Sequence, residues 1–340
     1  MPDIQSDQVA VPGPVAGPVA DVTALTDVER EFTIKARSQR ELVTRRFFRH
    51  RGAMGGLIVF VFVLLLAYSS VGFLGIPGWW GQSYETTGTV VNGGSMTLDL
   101  LPPFVDGDWF AVGAHPFGQD DVGRDYFALT MRGTQISIVI CVSVGLISTA
   151  LGVLVGAFSG FYRGWVESVL MRFTDLIITI PLLVIASVAA VTFSGGNPLL
   201  LALVLGVLLW PNLARLVRGE FLSLREKEFV EAARAMGAPS GRIIFKHILP
   251  NTLGTIIVNA TLTISAAIIL ETALSFLGFG VQPPDTSLGK LISDYQQAFT
   301  TRPWLFWWPG MFIVAIALSV NFIGDGLRDA FDPKQTRVRA

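Results

Sequence analysis

The chain has 340 residues, 51% hydrophobic and only 15% charged, with a mean hydropathy of +0.56. Soluble domains carry about 25% charged residues, so the composition excludes an ordinary soluble enzyme and points to an all-α polytopic membrane protein. A net charge of −1 gives no electrostatic footprint for nucleic acid.

Residues 1–25 contain "VPGPVAGPVADV", a proline- and glycine-rich stretch that predicts a disordered tail. From residue 26 to 52 the pattern becomes helical and basic. Leu25, Val28, Phe32, Leu42 and Phe47 make a loose apolar stripe, suited either to the membrane surface or to a solvated helix. The first apolar run starts near Ala53. That is too far in for a cleaved leader, so it is expected to stay as an anchor.

Six spans are predicted, at about residues 53–74, 134–158, 167–193, 198–217, 250–279 and 306–326. Gly152, Gly156, Gly160 and Gly164 recur every four residues, a spacing that admits close approach of another helix. Pro181 is expected to bend the third span. Asn197-Pro198 is a cap followed by proline at the first helical position. The fifth span is long enough to tilt, kink or protrude.

Charge near the span ends orients the chain. Residues 35–51 hold seven basic residues and one acid, and residues 212–249 hold seven basic residues. The outer loop, 76–133, has only Arg124 and Arg132 against seven acids. Both termini and the segment around Glu228 are therefore expected in the cytoplasm. In the outer loop, "TGTVVNGGSMTLDL" alternates around Asn92-Gly93-Gly94 and predicts a hairpin. Asp120 or Asp121 is the expected cap of the helix entering the second span. The aspartate spacing does not match a calcium loop.

Chemistry-bearing patterns are sparse. His50, His115 and His247 lie outside the predicted spans and not at i, i+4, so no metal site is expected. The single cysteine, Cys141, has no intrachain partner. Gly289-Lys290 is followed by Leu291, and Pro284 stands where a phosphate loop has glycine. No catalytic residues and no cofactor are assigned. Two charged positions in the spans draw attention, since charge there is costly. Asp175 has Arg172 one turn before it, an i, i+3 pair. Glu271 follows Pro250 by 21 residues, roughly 31 Å along a helix, near the outer edge. Each is a candidate for the pathway or a gate, with pairing to a neighbouring helix as the plainer alternative.

Between the fourth and fifth spans stands "EFVEAARAMGAPSGRIIFKHILPN", Glu228 to Asn251. Phe229, Ala232, Ala233 and Met236 fall on one face of a helix of about three turns. Glu226, Glu228 and Glu231 lie early, where the dipole favours acids, and Arg234 offers a charged hydrogen bond. Gly237 stops the helix and Pro239 starts another. Such an element docks in a partner's groove, or lies on lipid or on its own bundle.

Glu231-Ala232-Ala233, three residues, Gly237, then Leu249-Pro250 resemble the EAA loop of ABC importer permeases, with His247 where that pattern has isoleucine. "HPFGQDDVGRD" (His115 to Asp125), "ETALSFLGFGVQPPDTSLGKLI" (Glu271 to Ile292) and "NFIGDGLRDAFDP" (Asn321 to Pro333) are similar to the C-type permease of dipeptide and oligopeptide importers. The resemblance covers about Arg45 to Pro333. It implies a type I ABC importer permease architecture, with a permease domain over 53–333, a coupling loop over 218–249 and a cytoplasmic tail over 334–340. It further implies a bacterial inner-membrane setting within lipid. The implied partners are a second homologous permease, two cytosolic ATPases that bind the ATP, and an extracytoplasmic substrate-binding protein. Phe229, Glu231, Ala232, Ala233, Met236 and Gly237 are then the ATPase-coupling residues. Importers of nickel, glutathione or another small solute share these motifs. A self-sufficient carrier or channel and a membrane-embedded enzyme are the remaining alternatives.

Overall fold

The computed structural model describes residues 39–73, 75–98 and 112–331. The expected tail at 1–25, the stripe residues Leu25, Val28 and Phe32, and the segment 334–340 lie outside them. The chain divides into two units, Met1–Leu42 and Val43–Ala340. Of the first, the described residues are the opening ones of helix α1 (Gln39–Arg49). All that follows concerns the second unit.

Among the described residues the architecture is helical, with isolated bridges only at Phe73–Ile76 and Gln119–Asp125. Helix α2 (Arg51–Ser70) is capped by the His50 imidazole, which accepts from Ala53 N at 3.0 Å. Helix α3 (Tyr126–Tyr162) runs 37 residues, starting eight before the expected boundary. Its cap is Asp125, whose Oδ2 accepts from Ala128 N at 2.9 Å. This corrects the expectation of Asp120 or Asp121, both of which serve elsewhere in the outer loop.

The third span is a bent pair. Helix α4 (Gly164–Thr179) meets α5 (Leu182–Ala189, continuing as a π-turn to Ser194) at 91°. Pro181 is responsible: the residue before a proline is pushed out of helical geometry, and Ile180 is extended (φ −82°, ψ 131°). The fourth span, α6 (Pro198–Leu209) and α7 (Pro211–Leu224), bends by 43° at Trp210-Pro211. Asn197 caps α6 as expected, accepting from Leu199 N at 2.9 Å and Leu200 N at 3.2 Å.

After α7 come α8 (Glu228–Ala235), a one-turn helix Ser240–Arg242 and a π-turn Ile243–Ile248. The π-turn runs without a break into α9 (Leu249–Phe276). Helix α10 (Leu288–Tyr295) is capped by Ser287, and α11 (Trp304–Phe331) ends the described chain. Four of these helices are long and apolar enough to cross a membrane, and six spans result if each bent pair counts as one.

Helix α3 is the hub, packing on α6, α7 and α9, while α11 packs on α2 and α9. The glycine ladder explains its closest contact. A Cβ at Gly152, Gly156 or Gly160 would lie 3.0 Å, 2.6 Å and 2.8 Å from the carbonyl oxygens of Trp210, Ala214 and Arg218 on the α7 side. The outward rows of the spans carry Ile58, Phe62, Leu65, Leu146, Val188 and Phe193, each more than half exposed. Surfaces that apolar call for a bilayer.

The expected hairpin at Asn92-Gly93-Gly94 is absent. The three residues form a 3₁₀ turn, all with positive φ. The strand partners are taken: Thr97 N donates to His115 O, Leu98 N to Pro116 O and Gln119 N to Gly94 O. The turn is stitched forward to the His115–Gln119 segment instead of back upon residues 87–91.

Candidate functional site

Helix α8 is eight residues long, just over two turns. Glu226 precedes it and pairs with Arg163 and Arg225, at 3.5 and 3.2 Å. The expected single apolar face divides. Val230 (0% exposed) and Ala233 (2%) sit in a buried cluster with Phe161, Phe221, Ile243, Ile244 and Ile248. Phe229 is 42% and Met236 80% exposed, and Ala232 is exposed beside them. Positions 229, 232 and 236 therefore form an outward stripe, and Ala233 belongs to the keel beneath it.

The helix is stopped as a Schellman motif. Gly237 takes φ +76°, its N–H donates to Arg234 O at 2.9 Å, and Ala238 N donates to Ala233 O at 3.0 Å. Among the described residues no atom stands within 4 Å of a Cβ at Gly237, so its backbone angle, not crowding, calls for glycine. Glu228 and Glu231 occupy the first turn and are exposed. The Arg234 guanidinium lies over the Phe161 ring at 5.8 Å, a cation–π contact. Arg225 Nη1 donates to Phe161 O at 2.6 Å. The loop is thus fastened to the end of α3 by an arginine on each side of α8's start and by Val230, which the 229/232/233/236 spacing passes over.

At the other end of the helices, the His115–Asp125 motif packs on Tyr295, Arg302 and Trp308, and its Arg124 lines a cavity with Pro283, Asp285 and Lys290 of the Glu271–Ile292 motif. Asp125 Oδ1 bonds His115 Nδ1 at 2.8 Å, and Oδ2 accepts from Trp80 Nε1 at 2.8 Å. Asp120 Oδ2 accepts from Arg124 Nε at 2.6 Å and from the Tyr295 hydroxyl at 3.1 Å. Asp121 pairs with Arg302. Phe117 stacks on Trp308, with ring centroids 3.8 Å apart. These contacts hold the outer loop against α10 and α11.

Glu271 is fully buried, five residues before the end of α9. Its Oε1 accepts from Ser275 Oγ at 2.7 Å and Ser287 Oγ at 2.6 Å, and Oε2 from Ser137 Oγ at 3.4 Å. Ser137 Oγ in turn accepts from Leu288 N at 3.1 Å. Hydroxyl donors from α3, α9 and the α10 cap surround the carboxylate, and its contact with a neighbouring helix is made through Ser137. Asp175 does not pair with Arg172. Its partner is Arg215 Nη2 at 2.5 Å, on α7. Arg172, Asp175 and Arg215 line a cavity of about 600 Å³, and Arg172 has no ion pair among the described residues. Glu167 and Arg218 form a parallel bridge between α4 and α7. The 91° break rotates α4 onto α7, so the cross-helix pair prevails over the local one.

The end of the helices that carries the 76–133 loop holds a pair that sequence reasoning passed over: Arg132 Nη2 meets Asp285 Oδ1 at 3.2 Å. An arginine two turns into a spanning helix is itself the signal. Among the described residues no group of three or more His, Cys, Asp or Glu is placed to hold a metal ion.

Residues 152–337 match the family described as binding-protein-dependent transport system inner membrane component. Residues 38–87 match the N-terminal transmembrane domain of oligopeptide transport permease C. The oligopeptide transport system permease protein OppC of Mycobacterium tuberculosis (strain H37Rv) is 40% identical over 303 residues, covering 89% of this chain and 97% of that protein. OppC of Haemophilus influenzae is 36% identical over 314 residues, 92% and 94% of the two chains. Among solved structures, the inward-facing MetNI methionine ABC transporter aligns over 60% of this chain and 96% of its own, with a TM-score of 0.49 and 20% identity.

Proposed function

Since the chain belongs to the family of binding-protein-dependent transport system inner membrane components, we propose that it is the permease subunit of an ATP-driven importer of di- or oligopeptides. It forms half of the translocation pathway beside a second homologous permease. It sits in a bacterial inner membrane with both termini and α8 on the cytoplasmic side. A family of transport components makes it a non-catalytic subunit, with ATPase and binding-protein partners. ATP is bound and hydrolysed by two ATPase subunits, and this chain needs no cofactor of its own.

The observation that carries the reading is the outward stripe Phe229, Ala232 and Met236 on a helix whose other face is locked into the bundle. An exposed apolar stripe on a firmly seated helix is suited to a groove on a partner. The seat matters as much as the stripe. Val230 and Ala233 pack against the π-turn that continues into α9, so a push on α8 reaches a spanning helix through closely packed side chains. ATP-driven closure of the ATPases then moves α8, and with it the inner half of the pathway. The arginine-rich flanks support the cytoplasmic placement. The oligopeptide permeases at 40% and 36% identity support the cargo.

Affinity purification of the tagged chain in mild detergent, with identification of the co-purifying proteins, tests the assembly. Two ATPase subunits and a second permease are expected. Transport by the chain reconstituted alone, without ATP, would overturn it. Ligands recovered from the cognate binding protein test the cargo: peptides support it, and nickel or glutathione overturns it.

A further inference from the structure

Val71, Phe73, Tyr84, Arg132, Asn197 and Asp285 line a pocket of about 690 Å³. That lies within the roughly 300–1,000 Å³ typical of small-ligand sites. Its walls are the end of α2, the second turn of α3, the cap of α6 and the loop between α9 and α10. All four lie at the same end of the bundle, the end from which a binding protein delivers cargo under the proposed orientation. The wall is mostly apolar and carries one cation, Arg132.

That cation is held but not satisfied. A guanidinium has five N–H donors. Arg132 uses Nη1 on Gln135 Oε1 and Nη2 on Asp285 Oδ1, each at 3.2 Å, the long edge of the range for such bonds. Its Nε is enclosed with no acceptor. The Tyr84 ring lies 5.5 Å from the guanidinium carbon. Gln135 cannot turn away, because its Nε2 donates to Ala67 O and Gly72 O, both at 2.8 Å. That leaves Oε1 aimed at the arginine. A planar donor fork fixed in place, with hydrogens to spare on Nη1 and Nη2 and an apolar wall around it, fits a carboxylate. Among the described residues Asp285 is the only carboxylate bonded to it, and it is itself partly exposed. It serves as a placeholder that an incoming carboxylate displaces.

We propose that Arg132 receives the C-terminal carboxylate of the peptide in this pocket as cargo enters the permease, with Asp285 as the competing internal anion. The proposal rests on the peptide-import reading. The test uses the complete complex, with binding protein, in proteoliposomes supplied with ATP. The probes are trialanine and trialanine amide, which differ only in the terminal charge. The same binding protein is present throughout, so its own preference cancels between variants. Replacing the fork by a neutral amide in Arg132→Gln is expected to lower the acid-to-amide uptake ratio on the order of tenfold. Asp285→Asn, which removes the competitor, is expected to raise it. A ratio in Arg132→Gln equal to wild type overturns the proposal, as does equal loss of both probes in an assembled Arg132→Gln complex. If that variant does not assemble, Asp285→Asn decides: a raised ratio supports the site, and an unchanged or lowered one overturns it. Wild-type complex that imports neither peptide overturns the import reading itself and this site with it. An unchanged ratio alongside intact peptide uptake overturns only the site.

Discussion

Asp120 and Asp125 stand five residues apart in one loop and do different work. Asp125 is spent on a helix cap, an indole and an imidazole. Asp120 closes its own turn, accepting from Val122 N and Arg124 N at 3.0 and 2.7 Å, then reaches across to α10. There the Tyr295 hydroxyl donates to it at 3.1 Å. Burial first, and then the negative Asp120, push the Tyr295 phenol above its ordinary value of 10.0. The phenol therefore stays a donor through the physiological range. The sign of the linkage follows. Above the ordinary phenol range the unfolded chain gives up this proton first, so alkali favours unfolding. Below it the group's contribution is complete. Stability in detergent is expected to fall by about 1.4 kcal/mol per pH unit above about pH 10 on account of this group. Thermal unfolding of wild type and Tyr295→Phe across that range checks it. The difference between the two melting curves should shrink as the pH rises, and parallel curves count against it.

At the scale of elements, the same swap should destabilise at one glycine and not at another. A Cβ at Gly156 lies 2.6 Å from the Ala214 carbonyl oxygen, part of a backbone that must shift to admit it. Gly156→Ala is expected to cost about 1–3 kcal/mol, the usual range for overpacking. Gly219, inside α7, has nothing within 4 Å of a Cβ among the described residues. Gly219→Ala is expected to be neutral or to stabilise by up to about 1 kcal/mol through helix propensity. Thermal melts of the two variants in one detergent compare them directly. The four-residue glycine spacing was legible as a packing face at Gly152, Gly156 and Gly160. Gly164, expected on the same face, opens α4 with φ +58°, and a Cβ there meets no described atom within 4 Å. The partner helix was not legible, because it lies some 60 residues away in the chain. Pro181 was legible as a bend. Its size, 91°, goes with Ile180 leaving helical angles (φ −82°, ψ 131°), whereas Trp210 before Pro211 keeps them and the bend there is 43°. The hairpin expectation failed for a related reason. Asn92-Gly93-Gly94 has the residues of a tight turn, but the flanking backbone groups pair with His115–Gln119, and that pairing outweighs local alternation.

For the whole molecule, the question is which side of α8 serves the chain and which serves a partner. Sequence periodicity brought Phe229, Ala232, Ala233 and Met236 together because apolar residues mark both kinds of face alike. Only the packed structure separates them, through Val230, whose role depends on isoleucines 13 to 18 residues further on. The division makes the docking reading testable by contrast. Phe229 and Met236 contribute little to the chain's own core, so the double variant Phe229→Ala/Met236→Ala is expected to insert and melt like wild type. A buried phenylalanine or methionine is worth roughly 1.5–3 kcal/mol. If both enter an ATPase groove, retention of the ATPases should fall by at least tenfold and ATP-driven uptake with it. Val230→Ala should do the reverse in order. It empties a fully buried site, lowers the melting temperature first, and loses ATPases only as far as the fold loosens. Co-purification and melting curves on the same preparations distinguish the two. Wild-type ATPase retention in the double variant would move the partner surface away from α8, whatever the spacing of its residues suggests.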